Sequence, residues 1–220
     1  SIRFAESPAW LITHARSEEA ERAVRYFLGS DVTIGDVGTR SAQEVSLKAM
    51  FRGDNLRRVI LSGVPWACEG FGVYGVGVFL PFLIMAMGLG KDTERVKHVA
   101  SVVELSGYVN ISVAAGFIIG LALIRRLYHV RQQAVGFILS GIGLALLIVA
   151  YRMHLGAWVM LCGLIIFELF LNCGPHLITF ILPAQIYPIA DRGIGTGLAA
   201  ACGKAGFAIG AFLLPLQIKW

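Results

Sequence analysis

From residue 59 onward the chain is a series of long apolar runs separated by short polar breaks. Five runs cover about Val59 to Leu89, His98 to Ile124, Gln133 to Tyr151, Ala157 to Pro183 and Gly193 to Leu216. A helix needs about 20 apolar residues to cross the hydrocarbon core, which each run supplies except the third, a marginal one. Residues 1–58 are polar and read as lying outside the bilayer. Within them Ala20, Ala23, Val24, Phe27 and Leu28 recur at helical spacing, with acids in the first turn. That spacing predicts a short amphipathic helix over 18–28, ended by Gly29. Ser30 to Arg40 reads as loop, and Ser46 to Arg58 as a second surface helix with Arg57 and Arg58 at the membrane edge. The fold class predicted is an all-α membrane protein with about five transmembrane helices.

Composition agrees with the pattern. The 220 residues are 56% hydrophobic and only 15% charged, against about one quarter charged in a soluble domain. About half of the charged residues fall before residue 59. A formal charge of +5 raises nucleic acid as a partner, but no basic cluster is interleaved with exposed aromatics. The Lys and Arg residues stand at the ends of apolar runs, so the partner predicted is the lipid bilayer. Placing residues 1–58 and the 125–132 and 188–192 loops on one face collects 13 Lys or Arg there, against five on the other. The first face is therefore predicted to be cytoplasmic, and an odd number of crossings puts the two ends on opposite sides. Cys68, Cys162, Cys173 and Cys202 all fall in apolar runs without CxxC spacing, which predicts buried packing residues rather than a metal or disulfide site. The chain opens at Ser1 without a signal peptide and reads as a segment of a longer protein.

The polar residues inside the runs are the candidate chemistry. Trp66 and Tyr74 are eight residues apart, about 80 degrees round a helix, with Glu69 between them. An indole N–H and a phenol O–H can anchor an oxyanion or a hydroxylated solute, and Gly70, Gly72 and Gly75 leave room for an approaching group. A carboxyl in low dielectric can take up and release a proton, which makes Glu69 a candidate proton carrier. Glu104 either snorkels or pairs with a neighbouring helix, and Asn110 shares its run. Glu168, Asn172 and His176 recur every four residues and line one face, as cavity lining or as interhelical glue. Lys204 stands alone between Ala and Gly, after a hinge marked by Gly174, Pro175 and Pro183. It is expected to meet an anion, to pair with Glu69, Glu104 or Glu168, or both in turn. No nucleophile–base pair, phosphate loop, metal cluster or cofactor motif is present, so an enzyme is not expected; Gly193-Ile194-Gly195-Thr196-Gly197 follows a loop rather than a strand.

Several stretches resemble the second half of a major facilitator superfamily transporter. Glu6-Ser7-Pro8-Ala9-Trp10-Leu11 is similar to the signature of sugar-porter-like members after their sixth helix, and Ile124 to Arg131 keeps the basic character of their loop between helices eight and nine. Asn172-Cys173-Gly174-Pro175-His176, Thr179 to Gln185, and Ala199 to Gly206 resemble motifs of the phosphate:proton symporter branch. There His176 replaces a second asparagine, Gln185 replaces an acid, and Glu69 lies one position before the expected carboxylate.

The resemblance implies that the crossings are helices seven to eleven and that residues 1–58 are the cytoplasmic central loop. Residues 59–220 are then the C-terminal half-bundle of a multi-pass cell-membrane protein, with helix twelve and the N-terminal half of the same polypeptide absent. It implies alternating access, with Trp66, Tyr74, Asn172, His176 and Lys204 binding the solute. Glu69, Glu104 and Glu168 are the candidates for carrying protons. Three functions follow as expectations: proton-coupled symport of a small anion such as phosphate, transport of a sugar or organic acid, or a non-transporting membrane sensor or interaction protein.

Overall fold

The computed structural model describes residues 6–28, 47–87 and 95–217. The predicted 30–40 loop, the end of the first run at Leu89, Lys91 and Lys219 lie outside the described residues. Among the described residues the chain is helical, without strands. In the leader, α1 (Pro8–Thr13) begins on Pro8, whose missing N–H is no loss at a first turn. The predicted amphipathic helix is α2 (Ser17–Leu28), with Glu18 and Glu19 at its positive end and Arg25 at its negative end. Leu11, Ala20 and Ala23 form the small core between the two helices. Arg16 reaches both Glu19, at 2.6 Å, and Glu6, at 3.3 Å, and holds the exposed Glu19 carboxyl below its ordinary range.

The second surface helix is shorter than expected. Leu47–Phe51 makes a 3-10 turn, and Gly53, at φ +54°, turns the chain directly into α3 (Gly53–Gly72). A Cβ would disfavour that left-handed conformation. Arg57 and Arg58 consequently stand inside the membrane helix, in its first two turns.

The first apolar run is also not one helix. α3 passes into a π-helical segment, Val73–Gly77, closed by Val78 N–H donating to Val73 C=O at 3.1 Å, and then into α4 (Leu80–Ala86). Pro81 explains the break: it has no N–H for the Gly77 carbonyl, and its ring crowds that oxygen. α5 (Arg95–Leu123) and α6 (His129–Arg152) follow. The third run, marginal from the sequence, has its full 24 residues because the polar residues from His129 to Gln132 are helical too. The fourth run divides at Gly174 into α7 (Ala157–Cys173) and α8 (Pro175–Ile186). Pro175 makes this break; Pro183, expected to end the run, lies inside α8, where one lost bond so near the end is tolerated. α9 (Arg192–Gln217) completes the bundle. Among the described residues, five stretches are long and apolar enough to cross a membrane: Gly53–Gly77, Val99–Leu123, His129–Arg152, Ala157–Ile186 and Arg192–Leu213.

Small residues set the packing. α9 lies along α3, where Gly206 meets the Ala67 backbone and Gly203 the Trp66 indole. α7 is wedged between α5 and α6, with Gly116 and Gly143 against its backbone. Without a hydrophobic drive in lipid, such close approach is how helices gain van der Waals contact. Gly70 therefore leaves no room for a solute, because the Phe207 ring fills the space beside it. At the α3–α9 end, Tyr187 is buried against Met50 and Val59, and its hydroxyl lies 3.1 Å from that of Ser62. The cysteine expectation holds in part. Cys173 is buried and Cys202 half-buried, but Cys68 and Cys162 are exposed on outward helix faces.

Candidate functional site

The two interrupted spans meet at one place. The α7–α8 break puts His176 in the first turn of α8, and α8 packs on α3. There Nδ1 of His176 contacts Oε1 of Glu69, a fully buried carboxyl. On α7, one turn before the break, the Asn172 amide donates to the Glu168 backbone carbonyl at 2.7 Å and to its Oε2 at 3.3 Å. Glu168 and Asn172 are each only 4% exposed. The other carboxyl oxygen, Glu168 Oε1, points at the π-helical segment: a Cβ on Gly77 would sit 3.2 Å from it.

This arrangement is electrostatically demanding. Glu69 Oε2 and Glu168 Oε1 are buried without a hydrogen-bond partner among the described residues. Unpartnered buried charge is far costlier than a neutral group, and neither oxygen has a compensating donor among the described residues. Aromatic rings border the site. Phe117 of α5 and Phe180 of α8 stand edge-on to His176 at centroid distances of 5.3 and 5.6 Å. Trp66 meets the other side of the assembly through Phe180, at 5.2 Å. Trp66 is itself buried under Gly203 rather than set in an interfacial belt.

Other candidates stand apart from this cluster. Tyr74 and Lys204 share one ring, Phe207: the phenol stacks on it at 4.3 Å and the ammonium lies 4.6 Å from its centroid. Both are exposed. Among the described residues no carboxylate pairs with Lys204, so the ion pair expected with Glu69, Glu104 or Glu168 is not formed in this state. Glu104 is exposed on α5 and accepts a hydrogen bond from Tyr108 of the same helix at 3.0 Å, so it neither joins the buried cluster nor reaches another helix. An open recess of about 510 Å³ lies elsewhere, where Ser7 and Trp10 of the leader face Arg192 and Thr196 of α9.

Sequence reasoning missed Phe207, Phe180 and Gln132. The Gln132 amide donates to the Gly120 carbonyl at 3.0 Å and the Cys173 carbonyl at 2.9 Å, tying α5, α6 and α7 beside the helix break. Nothing marked it in advance, because it stands between Arg131 and Gln133 in the polar start of α6.

Comparison with known proteins agrees with this architecture. The chain matches the model of the family described as Sugar (and other) transporter over residues 2–219. It is 27% identical over 210 residues to the inner membrane metabolite transport protein YgcS of Escherichia coli, covering 96% of this chain and 44% of that protein. It is also 27% identical to the inorganic phosphate transporter 1-6 of Oryza sativa, over 74% of this chain and 33% of that one. Low affinity inorganic phosphate transporter 5 of Petunia hybrida is 28% identical over 67% of this chain and 29% of its own. The chain thus spans less than half the length of each of these relatives. With a family match over nearly its whole length and five membrane-crossing helices, the chain is part of a multi-pass membrane protein of the major facilitator superfamily and belongs to its Sugar (and other) transporter family.

Proposed function

We propose that the full-length protein is a proton-coupled symporter of a small anion such as inorganic phosphate, working by alternating access in the cell membrane. The residues before Gly53 form its cytoplasmic central loop, and those from Gly53 onward the larger part of the C-terminal half-bundle. The opposite wall of the solute path comes from the N-terminal half of the same polypeptide.

The observation that carries this reading is the contact between the buried Glu69 and the half-buried His176, a titratable pair between two interrupted spans. Intramembrane ionisable groups of this kind mark ion and proton pathways. The anion is favoured by the phosphate transporters among the relatives and by Lys204, whose ammonium is held on a ring rather than neutralised by a carboxylate. In this reading Lys204, Tyr74, Trp66 and Asn172 supply donors to the anion, which tolerates Glu69 nearby once Glu69 is protonated or paired with His176.

The test is uptake by the full-length protein in proteoliposomes under an inward proton gradient. Labelled phosphate is supplied with unlabelled phosphate, sugars and carboxylates as competitors. The reading expects phosphate to compete best and Lys204→Ala to lower uptake at least ~10-fold, the loss of one charge-assisted contact. Competition by a sugar or a carboxylate alone would move the assignment to that solute. Ligand binding without any uptake would make the protein a sensor.

A further inference from the structure

The proton count at the buried cluster is constrained by its geometry. The contact between Glu69 Oε1 and His176 Nδ1 needs one proton between the two atoms, donated by either. Glu69 Oε2 and Glu168 Oε1 have neither solvent nor a partner among the described residues. Two carboxylates facing a single imidazolium would leave uncompensated negative charge in a low-dielectric seam. Among the described residues the neighbours do not supply a second cation. α5 contributes the Phe117 ring, α7 the neutral Asn172, and α8 Phe180 besides His176. α9, packed on α3, carries Lys204, whose ammonium rests on Phe207.

We infer that Glu69, His176 and Glu168 form one two-proton site across the seam between the π-helical segment and the α7–α8 break. One proton lies between Glu69 and His176, and the second sits on Glu168. His176 then belongs to the proton path rather than to the solute donors. The seam joins the two places where spans one and four are interrupted, so losing these protons removes a cross-helix contact and leaves two buried carboxylates, each with an oxygen that has no partner among the described residues. Discharge of the site and separation of the two spans are one event. This rests on the proton-coupled reading above, but the site itself does not depend on which solute is carried.

The test uses the full-length protein in lipid and has a readout free of substrate, the infrared carbonyl stretch of protonated carboxyl groups followed from acid to alkaline pH. The expected result is a protonated-carboxyl band near neutral pH that is lost in Glu168→Gln and regained, at a shifted position, in Glu168→Asp. His176→Asn, which can accept a hydrogen bond but not a proton, should remove one step from the pH profile of uptake. A band unchanged by Glu168→Gln overturns the inference, as does a wild-type pH profile in His176→Asn. If the wild type takes up no phosphate, the anion reading fails, and the infrared arm still decides the proton site.

Discussion

Residues of one type have very different surroundings within this bundle. Glu69 has no exposed surface and touches His176 of another helix, whereas Glu104 is exposed and bonds only to Tyr108 of its own turn. Glu69→Gln keeps the shape and removes the titration, so proton-driven uptake should fall at least ~10-fold. Glu104→Gln should change it by less than about twofold, as expected of a solvated surface contact. Equal losses in both, measured as initial uptake rates, would contradict the separation. The sequence made Glu168 and Asn172 legible as one helix face through their four-residue spacing, but not that the Gly174-Pro175 break carries His176 off that face into α8. It did not make the pairing of His176 with Glu69 legible, since that contact joins residues 107 positions apart. Phe207 was equally hidden: an aromatic in an apolar run carries no mark that Tyr74 and Lys204 will share its ring.

Among the elements, the breaks matter more than the helices. Five apolar runs are readable by length, and the Gly174-Pro175 break by residue type. The π-helical segment is not, because Pro81 announces a disturbance without saying how the preceding turn absorbs it. Glycine was half-legible: its abundance predicted close approach, but the group approaching Gly70 is α9 and the group approaching Gly206 is α3, not a solute. A methyl at Gly206 would meet the Ala67 backbone, which cannot swing aside as a side chain can. Gly206→Ala in the full-length protein should therefore cost about 1–3 kcal/mol, visible as a lower Tm in detergent. Gly107→Ala, with nothing within 4 Å of the added carbon, is the control and should leave Tm unchanged.

At the scale of the whole molecule, the distribution of Lys and Arg predicts which loops share a face. Five crossings, with the leader and the 125–128 turn on the cytoplasmic side, put Leu155 on the other. After Cys68 and Cys162 are replaced by Ala, Tyr26→Cys and Tyr128→Cys should label with a membrane-impermeant maleimide only from the cytoplasmic side, and Leu155→Cys only from outside. All three positions are exposed. Labelling of Tyr128→Cys and Leu155→Cys from the same face would overturn the topology. The family was legible from sequence because its motifs lie at the span ends and at the break. The solute was less so, since a path between two half-bundles is lined from both.

The central claim is that the titratable pair of Glu69 and His176 couples solute movement to protons. The most direct measurement is accumulation of labelled phosphate by the reconstituted full-length protein, with and without an imposed proton gradient, in the wild type and in Glu69→Gln. The account predicts gradient-dependent accumulation in the wild type and its loss in the variant. Equal accumulation by both proteins under the same gradient would contradict it.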